Sequence, residues 1–257
     1  MIPKIVHYCW FGRNPLPPLA QTCIASWRKF LPDYEIREWN EDNFDVNSIP
    51  YTAEAYRQKK YAFVSDYARF WILYHHGGLY FDTDVEVIRT LDDIVAQGNF
   101  MGFEVDPDGR NTPGRYAPRY CFDVAPGLGF GMTAGHPFMK KMMGYYVNLR
   151  FEGAAMNPWL KTIVTYTTES LMEEGLQNVK GVQHVGDITV YPHEYFAPVD
   201  VITGRLHVTP NTRTIHRYMG SWDDKKGASL MDRVKLLLPE WVFYFVNRMK
   251  RQKYKVR

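Results

Sequence analysis

One run of the chain, residues 65–84, constrains the fold more than any other. Ser65-Asp66-Tyr67-Ala68-Arg69 sets an acid and a base at i and i+3, on one face of a helix. Gly77-Gly78 then stops that helix, because glycine takes up the left-handed backbone that a helix C-terminus favours. Leu79-Tyr80-Phe81 follows as an apolar strand and runs into Asp82-Thr83-Asp84. Residues i and i+2 of a strand point to one side, so Asp82 and Asp84 are predicted to present their oxygens together. A helix turned directly into a buried strand is the repeating unit of an α/β sheet.

The flanking sequence extends that unit. Lys4-Ile5-Val6-His7-Tyr8-Cys9-Trp10 reads as a strand, closed by Phe11-Gly12-Arg13-Asn14-Pro15. Residues 20–30 predict a helix and residues 34–39 a second strand, which alternates polar and apolar. Sheets built this way bind ligands at the carboxyl ends of their strands, where Trp10 and Trp39 fall. A helical pattern runs over residues 52–76, with Phe63, Tyr67, Phe70, Trp71 and Tyr74 on its apolar side. Residues 85–88 read as extended and 91–96 as a short helix. Residues 104–129 hold so many prolines and glycines that a long irregular segment is predicted. Helices follow near 137–151 and 160–174, with strand-like pieces at 188–191, 205–208 and from Ile215 toward Trp222. The expected organisation is one domain over residues 1–232 with an extension over 233–257.

Composition limits the partners. Three cysteines without metal-ligand spacing argue against a disulfide framework and for a reducing compartment. The first residues lack a charged segment followed by an apolar run, so no secretory signal is expected. No run of about 18 apolar residues could span a bilayer. The net charge of +3 combines +6 in residues 248–257 with −3 in the remainder. Just upstream, residues 236–246 are apolar and aromatic. An apolar stretch joined to a basic cluster suits either an anionic membrane surface or a helix packed on the core. Basicity confined to the tail, with no recognition motif, argues against nucleic acid. These features together predict a cytoplasmic chain that can lie peripherally on the inner face of the plasma membrane.

Chemistry concentrates at the acidic strand end. Paired carboxylate oxygens suit Mg²⁺ or Mn²⁺, with diphosphate oxygens and water completing the shell. Such an ion neutralises charge on a departing nucleotide diphosphate. Asp66 would accept hydrogen bonds from ribose or sugar hydroxyls, while Arg69 would steady it or face phosphate.

Ser65-Asp66-x-x-Arg69, Leu73, and Gly77-Gly78-x-Tyr80-x-Asp82-x-Asp84 resemble the central motif of glycosyltransferase family 32. That family of DXD-containing sugar transferases includes yeast-type initiating α-1,6-mannosyltransferases and bacterial capsule and lipopolysaccharide enzymes. Ile2-Pro3-Lys4-Ile5-Val6-His7-Tyr8-x-Trp10 is similar to its first strand. Tyr191-Pro192, Tyr195-Phe196, Pro198, His216 and Ser221-Trp222 resemble its later markers. The resemblance implies a GT-A fold, a mixed central sheet flanked by helices. It implies a retaining hexosyltransferase that takes a UDP- or GDP-sugar with Mn²⁺ or Mg²⁺. The acceptor would be a glycan or a lipid-linked oligosaccharide of surface polysaccharide biosynthesis. By position, Asp82 and Asp84 would serve the metal and donor, with His216 as a further metal ligand. Asp66 and Arg69 would act on the ribose or sugar. Trp10, Tyr80 and Trp222 would complete the donor site.

Two segments depart from the family pattern. The helix reading Thr165-Tyr166-Thr167-Thr168-Glu169 lacks its Thr-Gly-Pro stretch, and residues 125–130 lack its asparagine-rich form. Both would face the acceptor. Residues 79–85 also resemble the first motif of haloacid-dehalogenase-type phosphatases, in which the first Asp attacks phosphorus. A non-catalytic carbohydrate- or membrane-surface-binding protein would use the aromatic residues and the basic tail without the carboxylate pair.

Overall fold

The computed structural model describes residues 1–107, 122–151, 162–199 and 205–219. Strand β1 (Ile5–Cys9) leads into helix α1 (Pro18–Phe30), whose first residue is a proline that sacrifices no helical hydrogen bond there. α1 buries Ala20, Cys23, Ile24 and Trp27 at helical spacing. Strand β2 (Glu35–Trp39) then pairs parallel with β1, from Ile5 opposite Glu35 to Cys9 opposite Trp39. The opening βαβ unit is therefore as the sequence predicts.

The stretch expected as one helix over 52–76 is two, α2 (Pro50–Arg57) and α3 (Tyr61–His76). Lys59 turns the chain between them with φ at +58°, and Lys60 N–H donates to Ala55 O. The break lets α2 fold back and bury Tyr51, Thr52 and Ala55 beside α3, which one straight helix would leave in solvent. Gly77 caps α3 as expected, and strand β3 (Gly78–Tyr80) pairs parallel with β1.

β3 ends sooner than the sequence suggests. Val85 N–H donates to Asp82 O at 3.0 Å, so Asp82–Val85 is a tight turn and not the end of a strand. The chain reverses there into β4 (Val85–Val87), followed by α4 (Asp92–Val95). The region read as irregular from residue 104 is flanked and entered by strands β5 (Asn99–Val105), β6 (Asp123–Val124) and β7 (Phe130–Met132). Glycines in β5 and β7 make room for neighbours: a Cβ at Gly102 would meet the Phe196 ring at 2.4 Å, and one at Gly131 would meet Phe100 at 2.5 Å. Helices α5 (Pro137–Val147) and α6 (Ile163–Glu173) and strands β8 (Gln183–Val185) and β9 (Ile188–Tyr191) follow. A 3₁₀ turn spans His193–Tyr195, and β10 is Thr214–His216. Where a strand is predicted at 205–208, a lone bridge joins Leu206 to Val199.

The sheet runs β2-β1-β3-β7-β5-β9-β8, with β6 on β5, and β10 pairs antiparallel with β4 outside it. β1, β2, β3, β5 and β9 share one direction, while β7 and β8 oppose them. Helices cover both faces. One core holds Phe70, Tyr80, Phe103 and Phe130 under α2, α3, α5 and α6; the other holds Trp27, Phe81, Phe100 and Phe196 on the side of α1, α4 and β4. The mixed α/β sheet flanked by helices that the sequence implies is thus present. Its carboxyl edge, where β1, β3, β5 and β9 all end, collects the polar residues. Among the described residues, no helix is long and apolar enough to cross a membrane.

Candidate active site

The turn after β3 sends its two carboxylates in different directions. Asp82 faces α3. Arg69 Nη2 lies 3.3 Å from Asp82 Oδ1 and 3.3 Å from Asp66 Oδ1, and Nη1 donates to Asp82 Oδ2 at 3.4 Å. The same guanidinium donates from Nε to Ser65 O at 3.1 Å and stacks 4.8 Å over the Tyr80 ring. Arg69 is therefore a buried clamp, 5% exposed at its side chain, that fixes two acids at once. Tyr80, 1% exposed, lies beneath it as a platform. The i, i+3 spacing on α3 and the two-residue step past the strand end put these groups within reach.

Asp84 faces the other way, toward β10. His216 Nε2 sits 3.2 Å from Asp84 Oδ1, Met219 N–H donates to Oδ2 at 2.8 Å, and Arg217 N–H donates to Asp84 O at 2.9 Å. Three contacts from residues 216–219 hold the motif from beyond its own strand. Tyr218, at φ +50°, turns its ring edge-on to His216 at 4.3 Å.

Gly127 closes the remaining side. Its carbonyl accepts from Asp82 N–H at 3.2 Å, and a Cβ there would meet Asp82 Oδ2 at 2.1 Å and Arg69 Nη1 at 3.3 Å. Only a glycine lets the backbone approach the clamp so closely.

Burial and charge tune these groups unequally. Burial pushes the Asp66 carboxyl up to about 7 against the opposing pull of Arg69. Asp82 is also raised by burial, with Arg69 opposing. Burial would raise Asp84 as well, but the hydrogen bond and charge of His216 and the Met219 amide hold it below its ordinary value. Burial would depress His216, yet the Asp84 bond and the charges of Asp84, Asp82 and Glu104 raise it. The site thus separates a near-neutral acid at Asp66 from a firmly ionised one at Asp84.

Among the described residues, no group of three or more His, Cys, Asp and Glu side chains forms a ready-made metal cage. The donor set nevertheless fits a divalent ion that arrives with phosphate. Asp82 is 30% exposed, and Asp84 and His216 already turn an oxygen and a nitrogen toward each other. His216 Nδ1 is buried with no hydrogen-bond partner among the described residues. Mg²⁺- and Mn²⁺-type sites commonly take one or two carboxylates and leave the remaining positions to substrate phosphates and water.

Trp10 sits at the carboxyl end of β1 as expected, half-buried, with Nε1 donating to Asn14 O at 2.6 Å. Trp222 lies outside the described residues, as does the extension over 233–257.

Residues 17–101, which contain the Arg69 clamp and both acids of the turn, match the family described as "Glycosyltransferase sugar-binding region containing DXD motif". Over these residues the chain is similar to that sugar-binding region. Its relatives include inositol phosphoceramide mannosyltransferase 3 of Schizosaccharomyces pombe, 34% identical over 55% of this chain and 36% of that protein. The initiation-specific α-1,6-mannosyltransferase of Candida albicans is 21% identical over 86% of this chain and 72% of that one. Against inositol phosphoceramide mannosyltransferases 3 and 1 of S. pombe the chain spans 36% and 40% of their lengths. Among solved structures, the PaToxG glycosyltransferase aligns with a TM-score of 0.49 at 18% identity, over 68% of this chain and 70% of that one. Within residues 17–101 the sequence marks Asp66, Arg69, Asp82 and Asp84; the structure gathers the first three around Arg69 and turns Asp84 away, toward His216. The sequence reading passes over Gly127, the Met219 amide and Glu104. Glycines three and five residues past the buried strand β6 are the signal for the first. An amide leaves none.

Proposed function

We propose that the chain transfers a hexose, with retention, from a nucleotide-diphospho-sugar to a glycan or lipid-linked acceptor. The observation that supports this best is the Arg69 clamp, which sets Asp66 and Asp82 side by side at the carboxyl edge of the sheet. A lone acidic turn needs no such arrangement. Asp66, when ionised, would accept a hydrogen bond from a donor hydroxyl. Arg69 would hold Asp82 in place and spread positive charge under the donor. Trp10 would border the nucleotide. Asp82 and Asp84, with His216, would hold Mn²⁺ or Mg²⁺. That ion, when bound, supplies Lewis-acid neutralisation of the departing diphosphate.

In the transfer the bond between the sugar anomeric carbon and the diphosphate oxygen breaks, and its electron pair stays with the diphosphate. The acceptor oxygen bonds to the same carbon from the same face, and its proton passes to an oxygen of the departing diphosphate. The names of the fungal relatives favour mannose as the sugar moved. The reading places the enzyme in surface glycan synthesis at the cytoplasmic face of a membrane.

The experiment is a panel of UDP- and GDP-sugars with Mn²⁺, following nucleotide release and sugar transfer. Turnover of one donor, lost in Asp84→Ala by a factor of about 100 or more, is the expected result. No release from any donor, or full activity in Asp84→Ala, would overturn the proposal.

A further inference from the structure

Helix α5 brings further polar groups to the Arg69 clamp. β7 runs against β3, so the helix after it starts at the amino edge of the sheet and ends at the carboxyl edge, with Tyr146 in its last turn. The buried Tyr146 ring packs on Tyr67 at 6.1 Å and on Phe70 at 6.4 Å between centroids. Phe70 stands at i+4 from Asp66 on α3 and Tyr67 directly follows it, so a ring seated against both lies beside Asp66. Tyr51, buried in the first turn of α2, meets Tyr146 edge-on at 5.1 Å and Phe151 at 5.6 Å. Phe151 N–H donates to Glu54 Oε2 at 2.8 Å, which ties the chain after α5 to α2 and holds the two tyrosines together.

Among the described residues, neither Tyr51 nor Tyr146 spends its hydroxyl on a hydrogen bond. The adjacent Tyr145 does, since its hydroxyl accepts from Ser170 Oγ at 3.1 Å. Burial raises the pKa of Tyr51 and of Tyr146, and the largest charge acting on either is that of Asp66. Tyr67 is raised by burial alone. Two hydroxyls thus converge on one carboxylate, at a corner where the Asp66 side chain keeps 14% of its surface exposed. A buried hydroxyl without a partner costs desolvation that only a later hydrogen bond recovers.

We propose that Tyr51 and Tyr146 read the hexose of the donor, each donating a hydrogen bond to a hydroxyl oxygen of the sugar that Asp66 holds. This rests on the glycosyltransferase reading above and adds to it residues that select the sugar. An ionised Asp66 can only accept, so it engages the sugar protons and leaves the hydroxyl oxygens without a donor. The phenols supply that donor. The corner therefore engages hydroxyls in both directions, which suits a polyhydroxylated ring, and a sugar lacking the hydroxyl would leave buried groups unpaired.

Tyr51→Phe and Tyr146→Phe each keep the ring packing and remove one donor. With the UDP- or GDP-sugar that the donor panel turns over, kcat/KM for donor hydrolysis should fall about three- to tenfold in each variant. Calorimetric affinity for the matching UDP or GDP with Mn²⁺ should stay within about twofold, because the diphosphate carries no sugar. The urea midpoint should hold or rise, since the lost hydroxyl has no partner in the fold. In Tyr145→Phe the pattern should reverse, with a lower midpoint and an unchanged kcat/KM. Unchanged kcat/KM in either of the first two variants, an equal loss of nucleotide affinity, or a lowered midpoint would overturn the proposal. Failure of the transferase reading looks different: the unaltered protein would bind neither the nucleotide diphosphates nor their sugars, and the proposal would fall with it.

Discussion

Asp66 and His7 are two buried titratable side chains whose effects on stability oppose each other. Asp66 is raised to about 7 by burial, against an unfolded value of about 3.9. Between those values the folded state binds more protons than the unfolded state, so stability falls as pH rises. The span corresponds to a loss on the order of a few kcal/mol by pH 7. His7 runs the other way. Trp39 Nε1 donates to its Nδ1 at 3.0 Å, its Nε2 pairs with Gly77 O at 2.9 Å, and burial lowers it to about 4. The folded state then binds fewer protons than the unfolded state between about 4 and 6.5, and stability rises with pH across that window. In the unaltered protein the two slopes largely cancel. Urea unfolding at pH 4.5 and 7.5 should separate them. Relative to Asp66→Asn, the unaltered protein should lose stability over this range; relative to His7→Gln, it should gain. A difference of the same sign in both comparisons would contradict the assignment.

At the scale of elements, legibility depends on how far apart in sequence the deciding contacts lie. α1, β1, β2 and the α3–Gly77–β3 passage are written locally, in periodicity and one glycine stop. Asp66, Arg69 and Asp82 sit within that passage, so their cluster is legible too, whereas the turn at Asp82–Val85 sends Asp84 to His216 and not beside Asp82 as strand alternation predicts. β5 and β7 are not, because the space beside Gly102 and Gly131 is filled from far along the chain, by Phe196 and Phe100. The break between α2 and α3 is hidden for a similar reason. Lys59 has no turn signature, and packing of α2 on α3 forces it left-handed. Lys59→Gly should relieve that strain and raise stability by up to about 1 kcal/mol, read from the urea midpoint. The loop from β6 to β7 invites the opposite test. In Gly127→Ala the new methyl must displace the Asp82 carboxylate from Arg69. Because a side-chain tip can move, the fold should survive with a loss of about 1 kcal/mol. Donor turnover should fall by a factor of about 100, since Asp82 can no longer hold its place. Equal activity would remove Asp82 from the site.

Over the whole chain, charge is divided unevenly: the last ten residues carry +6 and the rest sum to −3. A uniformly basic protein would bind anionic surfaces in any orientation. This one should bind through its tail alone, with the apolar residues 236–246 beside it adding burial in the interface. Each Lys or Arg near an anionic leaflet contributes about 1 kcal/mol at most and is screened within a Debye length of about 10 Å at 0.1 M salt. Six such charges suffice for reversible binding that salt should weaken. Sedimentation with vesicles rich in phosphatidylglycerol should therefore carry the full chain down at low salt, and less of it at 0.5 M. Replacing Arg248, Lys250, Arg251, Lys253, Lys255 and Arg257 by Gln should abolish the low-salt binding while donor hydrolysis in solution persists. Binding to uncharged phosphatidylcholine vesicles of equal strength would contradict the electrostatic part. It would leave the aromatic segment as the only anchor. Loss of hydrolysis in the same variant would mean that the tail serves the catalytic domain and not a surface. The two readouts together distinguish a chain steered to lipid-borne acceptors by its terminus from one whose terminus belongs to the fold.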